Sequence, residues 1–373
     1  MVLLWTGAAA AADPPATDDK MPFKVRAVSA IMGDLDSGAI LFEQDADRRS
    51  EPASLTKVMT LYLIYEALAK GELTLESALP VSKKAWQMEG SRTFVKVGAE
   101  VQVEQLIRGI AVQSGNDACV VVAEHLGGSE AGFVDMMNHK AQELGMNATH
   151  FMNASGLPGD EHYTTARDLF TLTRAITLHF PQYGHFVREK EYTFNGILQH
   201  NRNRLLWRDS SITGLKTGHT TSAGYCLIAT SEKDGQRLGS VMLGAASVPI
   251  RSDDSLQMLR YGNRIFESVR LYDKGAPVRT LRVWKGDVEQ VDGVLESPLV
   301  VTVPRKERDK LEVGLRYEEP LLAPLAKGAP IGSVVVKLGG KEIETRPVVT
   351  AQAVGEGGFF REMVDSVRLK MGW

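Results

Sequence analysis

The sequence predicts an α+β fold for its larger part, followed by a small all-β domain and a terminal amphipathic helix. Three observations carry that expectation. Strand-like runs sit at both ends of a long segment whose middle reads as helices, the mark of an antiparallel sheet covered by helices. From Val278 the pattern changes to short alternating runs broken by Gly, Pro and Asp, with no long helix. In the last segment, Phe359 to Trp373, Phe359, Phe360, Met363, Val364, Val367 and Met371 share one helical face. The expected boundaries are a leader over 1–22, an α+β domain over 23–275, an all-β domain over 276–350, and a hinge with its helix over 351–373.

The elements follow in order. Val25 to Phe42 alternates around Asp36-Ser37-Gly38 and reads as a hairpin. Ser54 to Lys70 carries Val58, Leu61, Tyr62, Tyr65 and Leu68 at helical spacing, and Gly71 stops it. Leu106 to Leu126 reads as a buried helical region interrupted by Ser114-Gly115-Asn116, and Ala166 to Phe180 as another helix. Leu215 to Gly218, Gly224 to Ser231 and Leu238 to Ala245 read as consecutive strands, closed by an amphipathic helix over Ser255 to Leu271. In the all-β part the strand runs are Leu281 to Val283, Leu299 to Val303, Ile331 to Leu338 and Ile343 to Val349, with Gly339-Gly340 as a hairpin turn. Gly355, Gly357 and Gly358 read as a loose hinge. That hinge favours a helix lying in a membrane interface, since a helix docked on its own domain would not need one.

Composition excludes several classes. The 373 residues, 43% hydrophobic and 24% charged, suit a folded protein with a large core. A formal net charge of −3, with no basic stripe interleaved with aromatics, argues against nucleic acid as a partner. Cys119 and Cys226 are too few for a disulfide scaffold and read as small buried core residues. The eight histidines form no His-Glu-x-x-His string and no close His/Cys cluster, so no metal or other cofactor is expected. Residues 2–12, an apolar run ending in five alanines before Asp13-Pro14-Pro15, look like the back half of a secretory signal peptide; the alternative is an Ala-rich tail. No other apolar run approaches the roughly 18 residues of a membrane span, so export without an internal span is expected.

Three motifs carry chemistry: Ser54-Leu55-Thr56-Lys57, Ser114-Gly115-Asn116 and Lys216-Thr217-Gly218. Ser54 and Lys57, three apart at a helix start, can touch, giving a nucleophile with an amine base. The base must be neutral part of the time; burial and a neighbouring cation, for which Lys216 is the candidate, both lower a lysine pKa. Ser114 can relay a proton to a departing amine, and Asn116 can hold a substrate amide. Gly218, lacking a side chain, lets a substrate backbone come close. Taken singly, the motifs have plain alternatives: a chance string, a helix-capping turn at Ser114 and an exposed Lys-Thr-Gly turn. Their order makes acyl transfer through a serine ester the better reading.

The same residues, with Asp117-Ala118-Cys119, Gly214-Leu215, His219-Thr220, Asn201-Arg202-Asn203, Leu205-Leu206-Trp207 and Ala223 to Cys226, resemble the D-alanyl-D-alanine carboxypeptidases. These are low-molecular-mass penicillin-binding proteins of the type-five group. The likeness resumes at Lys341 to Pro347 and Gly358-Phe359-Phe360 and so covers nearly the whole chain from Val25. It implies a serine β-lactamase/transpeptidase-like catalytic domain. It also implies that Ser54 attacks the bond between two D-alanines of a peptidoglycan stem peptide, with Lys57 as base, Ser114 as proton relay and Lys216 as charge stabiliser. Asn116 would position the substrate, and the N–H groups of Ser54 and His219 would form the oxyanion hole. Thr217 and Arg251 would contact the substrate's terminal carboxylate, and Arg202 would support the same anion, its alternative being a structural salt bridge. β-Lactams would acylate Ser54. With the signal-like start and the terminal helix, the expected location is the periplasmic face of a bacterial inner membrane.

The rival enzyme is a β-lactamase on the same scaffold, for which Glu161 would have to activate the deacylating water. Glu161 lacks the surrounding Glu-x-x-Leu-Asn pattern, and Gly115 stands where those enzymes carry Asp. An endopeptidase acting on cross-links is a variation. A non-catalytic wall-binding scaffold is the alternative of a different class, opposed by the intact Ser54, Lys57, Ser114 and Lys216.

Overall fold

A computed structural model describes residues 22–317 and 319–371; the signal-like start and Trp373 lie outside the described residues. The chain divides into two compact units, one ending at Arg264 and the other beginning at Ile265.

In the first unit, β1 (Ser29–Asp34) and β2 (Ile40–Gln44) form the expected hairpin. They join β3 (Ile212–Thr220), β4 (Gly224–Lys233) and β5 (Gln236–Ala245) in an antiparallel sheet of order β2-β1-β5-β4-β3. β3 is therefore an edge strand. The helices α1 (Lys57–Lys70), α2 (Asn116–Gly127) and α3 (Ala166–His179) supply most of the core with the sheet, through residues such as Leu61, Ile64, Val121, Leu169 and Val241.

The closing helix differs from the sequence reading: α4 runs Val248–Ile265, and Phe266–Tyr272 is a strand, β6. Ser247 starts the helix, its Oγ accepting from Ile250 N at 3.3 Å, and Pro249 in the first turn loses no needed N–H. Phe266 to Tyr272 pairs antiparallel with β9 below, so the second unit starts earlier than the change of texture at Val278.

That unit is all-β apart from short turns and its last helix. β6 pairs with β9 (Leu299–Pro304). A second sheet is built from β7 (Pro277–Trp284), β8 (Gln290–Val294), β10 (Leu311–Arg316), β11 (Leu321–Leu322), β12 (Pro330–Leu338) and β13 (Lys341–Thr350) in the order β10-β12-β13-β8-β7-β11. Gly339-Gly340 turns β12 into β13, with Leu338 opposite Lys341. Leu281, Leu299, Val301, Val334 and Val336 fill the core.

The segment before the final helix is not a loose hinge. Gly357 N donates to Lys285 O (2.7 Å), Asp287 N to Gly355 O (3.0 Å), and Glu356 forms a bridge with Gly286. Helix α5 (Phe359–Met371) is itself fastened, because its buried Asp365 accepts Lys285 N–H at 2.7 Å. One turn earlier, Arg361 reaches Asp287 O at 3.4 Å. The polar face of the helix holds the 285–289 turn, and its apolar face points outward, with Phe359 and Phe360 77% and 78% exposed. The glycines serve close backbone pairing here rather than freedom.

Candidate active site

Ser54 lies three residues before α1, in a 3-10 turn (Ala53–Thr56), rather than in the α-helix proper. In that tighter coil residues three apart nearly eclipse, and Lys57 Nζ sits 3.0 Å from Ser54 Oγ. Ala53, at φ 47°, holds a left-handed conformation that a non-glycine residue adopts only under constraint.

Two further acceptors fix the amine: Asn116 Oδ1 at 2.7 Å and the Ser155 carbonyl at 2.5 Å. A neutral amine has two N–H donors and one lone pair. Asn116 and Ser155 take the two donors, so the lone pair is left facing the Ser54 hydroxyl. Lys57 is fully buried and its pKa falls to about 8: burial is the main cause and the charge of Arg202 adds to it, while Cys119 and Asp117 act the other way. At neutral pH about a tenth of the amine is then unprotonated.

The second motif comes from a π-turn (Gly109–Gln113) that ends in Ser114, again left-handed at φ 67°. Ser114 does not cap α2; Gly115 holds that position. Instead Ser114 Oγ accepts from Lys216 Nζ at 2.9 Å, and Lys216 also donates to Thr217 O at 3.0 Å. Asn116 Nδ2 donates to Glu89 O (2.7 Å), which turns its oxygen toward Lys57. Asp117 anchors the adjoining loop by accepting from Thr93 N and Phe94 N at 2.7 and 2.8 Å.

The third motif is buried on edge strand β3, not an exposed turn. Burial, then the Lys57 charge, pulls Lys216 well below the ordinary lysine range. Gly218 is needed for a reason the sequence did not show. A Cβ there would lie 3.2 Å from Ala53 Cβ, Pro52 O and Ser54 N, so its bareness admits the protein's own nucleophile turn. His219 is exposed and stacks on Tyr225 at 4.1 Å. Arg251, in the first turn of α4, donates to Gly218 O (2.9 Å) and Cys226 O (3.1 Å) from beneath the strand. Burial lowers it to about 10, so it remains a cation at neutral pH.

Arg202 makes no ion pair among the described residues, and its charge lowers the pKa of Lys57, Lys216 and Arg251 alike. The structural salt bridge weighed for it is absent there. Glu161 is exposed, and its backbone carbonyl bonds His150 Nδ1 at 2.7 Å; among the described residues no contact ties its carboxylate to Ser54 or Lys57. Cys119 and Cys226 are free, buried thiols pushed up to about 12 and 11, hence protonated and unreactive.

Sequence reading missed Ser155 because it acts through its main chain. It also missed Asn153 and His162, which support it. The only advance signal was the Asn-Ala-Ser-Gly string, which favours a turn built on an Asn side chain.

A serine beside a buried lysine, with a second serine hydrogen-bonded to a lysine of an edge strand, defines a serine acyl-transfer hydrolase that needs no histidine base. The family profile described as D-alanyl-D-alanine carboxypeptidase matches residues 14–247, and the penicillin-binding protein 5 C-terminal domain profile matches 266–356. The chain is 40% identical over 348 residues to the D-alanyl-D-alanine carboxypeptidase DacC of Escherichia coli (strain K12), covering 91% of this chain and 87% of that protein. Penicillin-binding protein 5 from Haemophilus influenzae superposes with a TM-score of 0.84 at 34% identity, covering 91% of this chain and all (100%) of that one. Penicillin-binding protein D2 from Listeria monocytogenes, solved in its ampicillin-bound form, superposes at 0.60 with 30% identity over 65% of this chain and 100% of its own. The chain belongs to the D-alanyl-D-alanine carboxypeptidase family. It is a serine-type D-Ala-D-Ala carboxypeptidase of the penicillin-binding protein 5 kind.

Proposed function

We propose that Ser54 carries the acyl group of a peptidoglycan stem pentapeptide after expelling its terminal D-alanine. The observation that carries this assignment is the three-point hold on Lys57 Nζ, which aims its lone pair at Ser54 Oγ. Lys57 takes the Ser54 proton as Oγ bonds to the carbonyl carbon. The oxyanion is met by the N–H groups of Ser54 and His219, flanking the close approach at Gly218. Ser114, hydrogen-bonded to Lys216, gives its hydroxyl proton to the leaving amine as the C–N bond breaks and regains the one that Lys57 took up, so that Lys57 is neutral again. Water then cleaves the ester, returning the proton to Ser54.

The stem peptide lies extended along the free edge of β3, where backbone groups are open to a further strand. Asn116 binds its amide. Thr217 and the buried cation of Arg251 favour its C-terminal carboxylate, with Arg202 adding positive potential. β-Lactams occupy the same place and acylate Ser54, as support from the ampicillin-bound Listeria relative suggests. A burst assay tests the carboxypeptidase reading against the lactamase one. One equivalent of penicillin is consumed quickly and the ester persists, while D-alanine release from a pentapeptide turns over. Many penicillin molecules hydrolysed per second would contradict it.

The enzyme works at the periplasmic face of the inner membrane, resting on it through Phe359–Trp373. No helix among the described residues is long and apolar enough to cross a membrane. The exposed apolar face of α5 and its basic Arg368 and Lys370 fit a lipid interface instead. Removal of Phe359–Trp373 is expected to leave peptide hydrolysis intact and to abolish sedimentation with anionic vesicles. A truncated protein that still sediments contradicts the anchor.

A further inference from the structure

We infer that Asn153 is a positioning residue for the base, holding the Ser155 carbonyl against Lys57 through a turn braced by His162. This rests on Lys57 acting as base for Ser54. Asn153 Oδ1 accepts four bonds, from Ser155 N (3.1 Å), Ser155 Oγ (3.2 Å), Gly156 N (2.7 Å) and Leu157 N (3.1 Å). Its Nδ2 donates to Leu157 O at 2.9 Å and to His162 Nδ1 at 3.3 Å. One side chain thus closes the turn from both ends.

His162 then links the turn to the nucleophile segment. With Nδ1 accepting, Nε2 carries the proton and donates to Thr56 Oγ1 at 2.9 Å, beside Lys57 in the chain. Burial lowers the ring to about 4, so it stays neutral and keeps this tautomer at working pH. The turn also sits hard on the nucleophile. Gly156 is left-handed at φ 86°, and a Cβ there would fall 1.8 Å from Ala53 O. The Ser155 carbonyl therefore cannot drift while Asn153 keeps its bonds. Without it, the neutral amine has one fixed acceptor instead of two, and its lone pair is free to rotate off Ser54.

The groups facing Lys57 are Ser54 on its own turn, Asn116, Asp117 and Cys119 from α2, Lys216 from β3, Arg202, and Ser155 and His162 from the loop. Of these groups the Ser155 carbonyl and His162 depend on Asn153, and of the two only the carbonyl is hydrogen-bonded to the amine. A carbonyl accepting from an amine favours its charged form, so losing it lowers the pH at which the base becomes neutral.

The test measures stopped-flow acylation by a chromogenic penicillin against pH in the full-length protein. Asn153→Ala is expected to lower the acylation rate constant about 10²-fold, to leave noncovalent penicillin affinity unchanged, and to move the midpoint of the rise with pH downward. Asn153→Ser keeps an oxygen that can accept the loop amides and is expected to recover most of both changes. If the Ala variant fails to fold, a smaller downward shift in the Ser variant carries the same information. Variants that keep the wild-type midpoint, or lose rate and affinity together, overturn the inference. A wild type whose acylation does not rise through pH of about 8 instead overturns the role of Lys57.

Discussion

Lys57→Met is expected to slow acylation of Ser54 by about 10²–10⁴-fold, the range of a lost general base. Methionine matches the length of the aliphatic stem in its buried slot but offers no lone pair. The wild-type rate should climb about tenfold per pH unit below the lysine midpoint and level off above about 8, because only the neutral amine accepts the proton. The sign follows from the cause. Burial disfavours the ammonium, so the competent form already exists near neutrality instead of only above the usual lysine range. In the methionine variant that rise should vanish together with the rate. Stopped-flow acylation from neutral to alkaline pH reads both, and a variant that keeps the rise would assign it to another group, such as Lys216.

Ser54→Ala is expected to cost more, roughly 10⁴–10⁶-fold, as for other enzymes deprived of their nucleophile. The residue is half-buried and its backbone carries the turn, so an alanine leaves Asn116, Ser155 and the Gly218 approach in place. The loss should therefore appear in covalent labelling by penicillin, with reversible binding retained. Loss of both would point to collapse of the turn.

Side-chain pattern revealed much of this molecule in advance. The Ser54–Lys57 pair and the run of strands from Leu215 are encoded in residue type and order and could be read directly, whereas Lys216 came beside Ser114 only through the family resemblance. Four features could not. Ser155 acts through a carbonyl that every residue possesses, so nothing in its side chain announces it. The limits of α4 were misplaced because Pro249 looks like a breaker unless it falls in a first turn, and because Phe266, Val269 and Leu271 suit either a helix face or a strand edge. The glycines at 355, 357 and 358 read as freedom, yet two of them pair their backbones with the 285–287 turn. Asp365 was one more charge on an amphipathic helix until its partner, the Lys285 amide, was located in the fold.

That fastening changes what the last segment does. A helix tied by Asp365 and Arg361 to the all-β unit carries that unit at a fixed attitude to whatever its apolar face contacts. The glycine-rich approach to it acts as a strap.

D-alanine release is proposed to run through an ester on Ser54. The direct measurement is free D-alanine produced from a stem pentapeptide by the wild type and by Ser54→Ala at equal concentration. Release by the wild type with none above background from the variant is the predicted result. Equal release from the two proteins would contradict it.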